Sequence, residues 1–204
     1  VNCNDVVTVH DVALITAYLN GETHKAFHEG KADVDGDGNI GTSDANATAT
    51  LILDNDAPSS MYWYSTPVGE GMLAANDFEA QLGEEQNIPL VLSSGSNETY
   101  SALQFDIAIP DGFDIYDITM GDVECPLTYT QKDMNNFRVV AYLDDNSEFG
   151  TGDEIIAKLT VSTNDVIEED ARKLVLSNIY AVDANNDEVR LENSTVSFTQ
   201  ATSI

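Results

Sequence analysis

Residues 33–44, DVDGDGNIGTSD, place oxygen-bearing groups at the spacing of a twelve-residue cation-binding loop. The candidate ligands are the side chains of Asp33, Asp35 and Asp37, the carbonyl of Asn39, and the side chain of Asp44. A hard cation such as Ca²⁺ takes six to eight oxygens at roughly 2.3–2.6 Å, and one short turn of this composition can supply most of them. Gly38 stands where such a loop turns sharply, and Gly41 leaves its position to a water. The loop is therefore predicted to bind calcium, with Asp44 shorter than the usual closing Glu.

A second copy of the pattern lies at the start of the chain, where residues 1–11 align with residues 34–44. Its candidate ligands are Asn2, Asn4, the carbonyl of Val6, Thr8 and Asp11. Asp5 replaces the glycine of the sharp turn, and Asp tolerates a left-handed conformation better than most residues. The position equivalent to Asp33 would precede Val1. We therefore expect a weaker and incomplete calcium site here.

Each loop is followed by an apolar stripe at helical spacing, which includes Val12 and Ile15 in the first copy and Ala45 and Ile52 in the second. Two loop–helix units without entering helices, over residues 1–55, resemble a type I dockerin module. The resemblance implies two antiparallel helices held by paired calcium loops. It also implies that loop positions 10 and 11 contact a cohesin partner, and these are Val9 and His10 in one copy and Thr42 and Ser43 in the other. Ordinary helix-start roles remain an alternative for these four residues.

Composition narrows the partners and the setting. The chain has 36 acidic and 8 basic residues, a net charge of −28, and 42% hydrophobic residues, so it can build cores and would repel nucleic acid and anionic lipid. No apolar run is long enough to span a membrane. Weak calcium loops work where calcium is millimolar, so we expect a secreted protein, outside the cell or on its surface, with its signal segment upstream. The dockerin resemblance implies a bacterial source. Cys3 and Cys125 are expected to be free thiols.

Residues 57–69 are interpreted as a linker that contains a row of aromatic side chains. Tyr62, Trp63 and Tyr64 could stack on sugar rings, form a contact between domains or with a partner, or enter a strand core. The three alternatives stay open at the level of sequence.

Residues 70–204 alternate apolar and polar side chains in short segments separated by turn residues. This predicts an antiparallel β-sandwich of about eight or nine strands. The segment YSALQFDIAIPDG (residues 100–112) and the later segments at 137–159 and 176–189 resemble a cohesin domain, although carbohydrate-binding modules share such strands. The resemblance implies a jelly-roll sandwich.

The sequence therefore predicts two domains, an all-α calcium-binding dockerin at residues 1–56 and an all-β, cohesin-like sandwich at 70–204. No nucleophile elbow, phosphate loop or zinc signature occurs, so we expect a non-catalytic assembly protein. Its partners would be cohesin- or dockerin-bearing proteins, in the service of polysaccharide degradation. The alternative is a carbohydrate-binding or adhesin module, with the dockerin-like part as a stalk or packed on its own sandwich.

Overall fold

Residues 1–54 form two loop–helix units in a computed structural model that describes residues 1–94, 98–145 and 147–201. Helix α1 spans Val9–Leu19 and α2 spans Thr42–Asp54, so each begins directly after its loop and at the equivalent position of the repeat. A short helix, α3, spans Ser60–Ser65 and is capped by the Ser59 hydroxyl, which accepts a hydrogen bond from the Tyr62 amide. The paired loop–helix prediction is confirmed.

The remainder is a β-sandwich, as predicted. Its strands are β1 Met72–Ala75, β2 Glu79–Gln81, β3 Glu85–Ser93, β4 Tyr100–Ala108, β5 Phe113–Met120, β6 Leu127–Gln131, β7 Asn136–Tyr142, β8 Asp153–Thr163, β9 Lys173–Asp183, β10 Glu188–Arg190, β11 Ser194–Ser197 and β12 Thr199–Ala201. One sheet has the order β1-β3-β8-β5 and the other β10-β9-β4-β7-β6, with β11 also paired to β9. Strands β2 and β12 form a small parallel pair. The sequence estimate of strand number was too low because several strands, among them β2, β10 and β12, are too short to display alternation.

The main core lies between the two large sheets. Alternate residues of β4, namely Leu103, Phe105 and Ile107, are buried there, opposite Leu90 and Leu159 of the other sheet. This is the period-2 pattern on which the strand predictions rested. In the part of the chain that the structure describes, no helix is both long and apolar enough to cross a membrane.

A second apolar cluster lies on the outer face of the sheet that contains β4. Ala102, Val140, Tyr180 and Val182 point away from the sandwich core and are buried against the two helices. Strands β4, β7 and β9 are therefore apolar on both faces, which is typical of a sheet that is covered on both sides. The helices and the sheet share one continuous cluster.

A β-bulge in β9 adjusts this outer face. The register between β4 and β9 shifts between Gln104 and Asp106, and Asn178 has a left-handed φ of 50°. The Asn178 amide donates a hydrogen bond to Asp106 Oδ2 at 2.8 Å. The extra residue thus directs a polar group toward the outer face.

The aromatic row adopts a conformation that the sequence alternatives did not include. Residues 61–64 lie within helix α3, so the strand-core alternative is wrong, and the cap at Ser59 favours the helix. Tyr62 and Trp63 contact the outer-face cluster, whereas Tyr64 is 77% exposed.

Gly121 marks a close approach between the end of β5 and β8. A Cβ at this position would lie 1.9 Å from the carbonyl oxygen of Ile155, which is backbone and cannot move aside cheaply. We expect Gly121→Ala to lower the free energy of unfolding by about 2–3 kcal/mol, because the strands must separate to admit the methyl group. Gly152→Ala is the matched control, since nothing lies within 4 Å of its Cβ position. Equal denaturation midpoints for the two variants would contradict this packing.

Candidate functional site

The second loop gathers three carboxylates. Ligand atoms of Asp33, Asp35 and Asp37 lie within 4.8 Å of one another. The Asp33 carboxylate accepts hydrogen bonds from the amides of Gly36 (2.8 Å) and Gly38 (3.0 Å), which wraps the loop around it. Both glycines have positive φ, 77° and 90°, so the turn needs residues that tolerate that region. Oxygen donors alone, in a tight turn, fit a hard cation such as Ca²⁺.

Asp44 closes this loop through the backbone. Its Oδ1 accepts from the amides of Val34 (2.6 Å) and Asp35 (3.1 Å), and its Oδ2 accepts from Gly41 (2.7 Å). Burial alone would raise the pKa of Asp44, but these amide donors outweigh it and hold the pKa below its ordinary value. The residue predicted as the last calcium ligand therefore also ties both ends of the loop to the first turn of α2.

The first loop repeats this closure atom for atom. Asp11 Oδ1 accepts from the nitrogens of Val1 (2.7 Å) and Asn2 (2.9 Å), and Oδ2 accepts from the amide of Thr8 (3.2 Å). Each of these donors is the repeat counterpart of one of the donors around the closing carboxylate of the second loop. Asp5 has φ 63°, so it does adopt the left-handed conformation expected of it.

The two loops differ in charge. Asn2 and Asn4 stand where the second loop has Asp35 and Asp37, and their side-chain oxygens accept from the amides two positions ahead, at 3.2 and 3.0 Å. The corresponding turns in the second loop use carboxylates at 3.0 and 2.8 Å. The backbone shape is thus shared, while the first loop offers fewer carboxylates to a cation.

Helix α1 lies against the outer face of the sheet. The Val9 amide donates to the side-chain oxygen of Gln104 at 2.7 Å, and His10 Nε2 lies 2.9 Å from the carbonyl oxygen of Asn186. Val9 and His10 are buried at this contact. Burial lowers the pKa of His10, with a partly opposing effect from the Asn186 carbonyl. These are two of the four residues predicted to contact a partner.

The equivalent pair in the second copy lies elsewhere. Thr42 and Ser43 are exposed at the start of α2. A polar link between α2 and the sheet occurs one turn later, where the Tyr142 hydroxyl donates to Asn46 Oδ1 at 2.6 Å. The two copies therefore present different surfaces to the sandwich.

Glu188 of β10 joins three parts of the chain. Its carboxylate accepts hydrogen bonds from the Thr8 hydroxyl of the first loop and from the Tyr62 hydroxyl of α3. Tyr62 also accepts from the Asn4 amide at 3.1 Å. Burial raises the pKa of Glu188, and the two hydroxyl donors oppose that effect. This partly buried carboxylate keeps both hydroxyl donors only while all three parts stay together.

Trp63 also contacts the sandwich at the junction between α3 and strands β9 and β10. Its ring meets that of Tyr180 edge-on at 5.2 Å, and the guanidinium carbon of Arg190 lies 5.1 Å from its centroid. Two alternatives remained for the aromatic row: stacking on sugar rings, and a contact between domains or with a partner. Tyr62 and Trp63 form a contact between domains. Polar pairs surround the contact: Asn20 donates to the carbonyl of Asp144 at 2.7 Å, and His24 lies 3.3 Å from Asp187.

Sequence reasoning missed the sandwich side of this interface, above all Gln104, Arg138 and Glu188. One signal was present: the run at 137–142 is apolar at nearly every position, so neither face of β7 is plainly a solvent face. Cys3 is exposed and Cys125 buried, and both are free. Burial raises the pKa of Cys125 to about 12, so this thiol is inert at neutral pH.

Comparisons with known proteins agree with this architecture. Residues 1–52 match the family model for the dockerin type I domain. The fold resembles a non-cellulosomal cohesin from the archaeon Archaeoglobus fulgidus, with 14% identity, a TM-score of 0.51, and coverage of 64% of this chain and 92% of that chain. It also resembles the cohesin module of a family 33 glycoside hydrolase from Clostridium perfringens (15% identity, TM-score 0.51, coverage 67% and 100%).

A chain from a type I cohesin–dockerin complex of Clostridium thermocellum gives similar values, with 14% identity, a TM-score of 0.51, and coverage of 64% and 99%. Among curated proteins, none matches this chain significantly. The chain thus combines an N-terminal part that matches the dockerin type I family model with a sandwich that has the cohesin fold. The helices of the first part are packed on a sheet of the second.

The junction predicts unequal roles for neighbouring aromatic residues. We expect Trp63→Ala to lower the free energy of unfolding by about 2–3 kcal/mol, because the indole loses its contacts with Tyr180 and Arg190. Tyr64→Ala, the matched control on the exposed side of α3, should change it by less than about 0.5 kcal/mol. Chemical denaturation of the full chain measures both, and an equal loss in the two variants would contradict the contact.

Proposed function

We propose that this chain is a calcium-stabilised, non-catalytic assembly unit in which the dockerin module docks on the sandwich of its own chain. One observation carries the proposal: the apolar outer face formed by Ala102, Val140, Tyr180 and Val182 is buried by the dockerin helices. A sheet face of this kind, left bare, would be an exposed apolar patch. Because the linker is short, the tethered dockerin acts at an effective concentration of about millimolar.

Calcium is the proposed folding cofactor of the dockerin module. The three gathered carboxylates of the second loop repel one another unless a cation joins them, and two short helices have little core of their own. The first loop, with its two Asn side chains, is proposed as a second, weaker site. Binding to the folded loops alone adds the binding free energy to the stability of the module.

The proposed setting is outside the cell or at its surface, in the degradation of polysaccharides. The acidic composition and the weak type of calcium loop suit that environment. A cohesin module from a family 33 glycoside hydrolase of Clostridium perfringens has the same fold, which supports a link to enzymes that cleave glycosidic bonds. Cohesin- or dockerin-bearing proteins are the proposed partners, and any that uses the covered face must displace the tethered dockerin.

The carbohydrate-binding alternative draws little support from the aromatic residues. Trp63 and Tyr62 are engaged with Tyr180, Arg190 and Glu188. Tyr64 is the member of the row that remains exposed. A sugar ring would thus meet one aromatic side chain there instead of a platform of several.

Docking within the chain can be tested by cutting the linker of the folded protein. A protease site inserted between Asp56 and Ala57 lets the full chain be cleaved after folding. We expect the two pieces to co-elute in size-exclusion chromatography with calcium. Val140→Asp should separate them, because a carboxylate would be buried in the apolar contact without a partner.

Val91→Asp is the control for this experiment, since Val91 is a half-buried outward residue of the opposite sheet. It should leave the cleaved pieces together. Separation of the unsubstituted pieces at micromolar concentration, with calcium present, would refute docking within the chain.

Calcium binding can be measured separately by titration calorimetry of the full chain. Asp35→Asn with Asp37→Asn should abolish the tighter site, because two of the three gathered carboxylates lose their charge, and affinity should fall at least about 100-fold. Asp54→Asn with Asp56→Asn removes the same charge from exposed positions outside the loops and should leave the titration unchanged. Identical titrations for the two double variants would rule out the second loop as the calcium site.

A further inference from the structure

Two basic side chains of the sandwich converge on the end of helix α2. Lys132 Nζ donates hydrogen bonds to the carbonyl oxygens of Leu53, Asp54 and Asn55 at 2.9, 3.1 and 2.9 Å. Arg138 reaches the same end from β7. Its Nη1 lies 3.2 Å from the carbonyl oxygen of Ile52 and 2.7 Å from that of Asn55. Four consecutive carbonyls of α2 and its cap are thus bound by the sandwich.

The end of α2 needs such partners. The last carbonyls of a helix have no intrahelical donor, and together they carry roughly half a negative charge. Helix α2 has no basic residue in its last turn, and its cap residue, Asn55, is extended, with φ −74° and ψ 163°. Among the described residues after α2, the first with a left-handed φ is Gly83, which is too far along the chain to turn it back over these carbonyls.

The end of α1 is different, because residues that directly follow this helix donate hydrogen bonds to its last carbonyls. The amide of Glu22 donates to the carbonyl of Ala17 at 2.9 Å, and the Asn20 side chain donates to that of Thr16 at 2.9 Å. Gly21, with φ 85°, makes the left-handed turn that this arrangement requires. The two helices are related by the internal repeat, yet α2 is the one that leaves its last carbonyls to donors from the sandwich.

Arg138 is held ready for this contact. Its Nε and Nη2 donate to the two carboxylate oxygens of Asp106 at 2.7 and 2.9 Å, and Asn178, at the bulge, donates to the same carboxylate. The Arg138 side chain is only 4% exposed. Asp106 therefore fixes the plane of the guanidinium, and Nη1 is left to point at the helix.

We propose that Lys132 and Arg138 form a recognition site for helix C-termini. Because of this site, the sandwich accepts α2 at this end of the sheet and does not accept its repeat, α1. The inference rests on the docking proposed above. It also defines the chemistry of a competing partner: a helix pair in which the helix placed on β6 and β7 ends without a glycine cap. A helix that caps its own carbonyls offers this site nothing to bind.

The cleavable full chain described above tests this recognition site. After cleavage, the dissociation constant of the two pieces is measured with saturating calcium. Lys132→Met should raise it about tenfold, because three acceptors of the helix end lose their donor. Lys132 is exposed, so this substitution leaves the sandwich core untouched. Lys158→Met, which removes a lysine paired with Asp122 on the opposite sheet, is the charge-matched control and should leave the constant unchanged.

Arg138→Lys gives a second measurement, because it keeps the charge and loses the paired hydrogen bonds to Asp106. It should weaken association by about tenfold or more, and near-ultraviolet circular dichroism verifies that the variant folds. Amide exchange at positions 53–57 should also rise in Lys132→Met. Equal dissociation constants for Lys132→Met and Lys158→Met would overturn the proposed recognition site while leaving docking intact. Dissociation of the unsubstituted pieces would instead overturn docking itself.

Discussion

The outer face of the sheet that contains β4, β7 and β9 is apolar and has to be shielded from water. The position of the two helices follows from that constraint. Ala102, Val140 and Val182 on this face are as buried as the residues between the sheets. Helix α1 is covered by α2 on one side and by this sheet on the other, so nearly all of it is buried. The two-helix unit is too small to build an apolar core alone, and without it the sheet would expose an apolar outer face.

Polar groups decide how the two parts meet. The chain has few basic residues, and two of its arginines lie at the interface. Arg138 binds Asp106 and the carbonyls at the end of α2, and Arg190 lies over the ring of Trp63. The partly buried carboxylate of Glu188 has its hydroxyl donors in the first loop and in α3. Apolar burial supplies most of the attraction in such a contact, whereas buried polar pairs fix one arrangement among several of similar area.

Local patterns were predicted from the sequence. Packing of the N-terminal part on its own sandwich was one alternative among several, and its contacts were not predicted. The loops, both helices and the alternating strands follow from spacing, because cation ligands and the helical and strand periods depend on near neighbours. The helix over residues 61–64 was missed because four large side chains carry no period. Lys132 and Arg138 were missed for another reason: their partners are main-chain carbonyls in a distant part of the chain, and a carbonyl has no signature in the sequence.

The closure of the two loops by Asp11 and Asp44 has a consequence for how these sequences can diverge. In both loops the donors are main-chain nitrogens, so the closure is indifferent to the side chains that those positions carry. Thr8 can stand where its counterpart is Gly41, and Asn2 where its counterpart is Asp35, without loss of the loop shape. Substitutions at these positions can therefore change the charge that one loop offers to a cation, or let a side chain such as Thr8 bond a neighbouring strand, while a single retained carboxylate preserves the loop geometry.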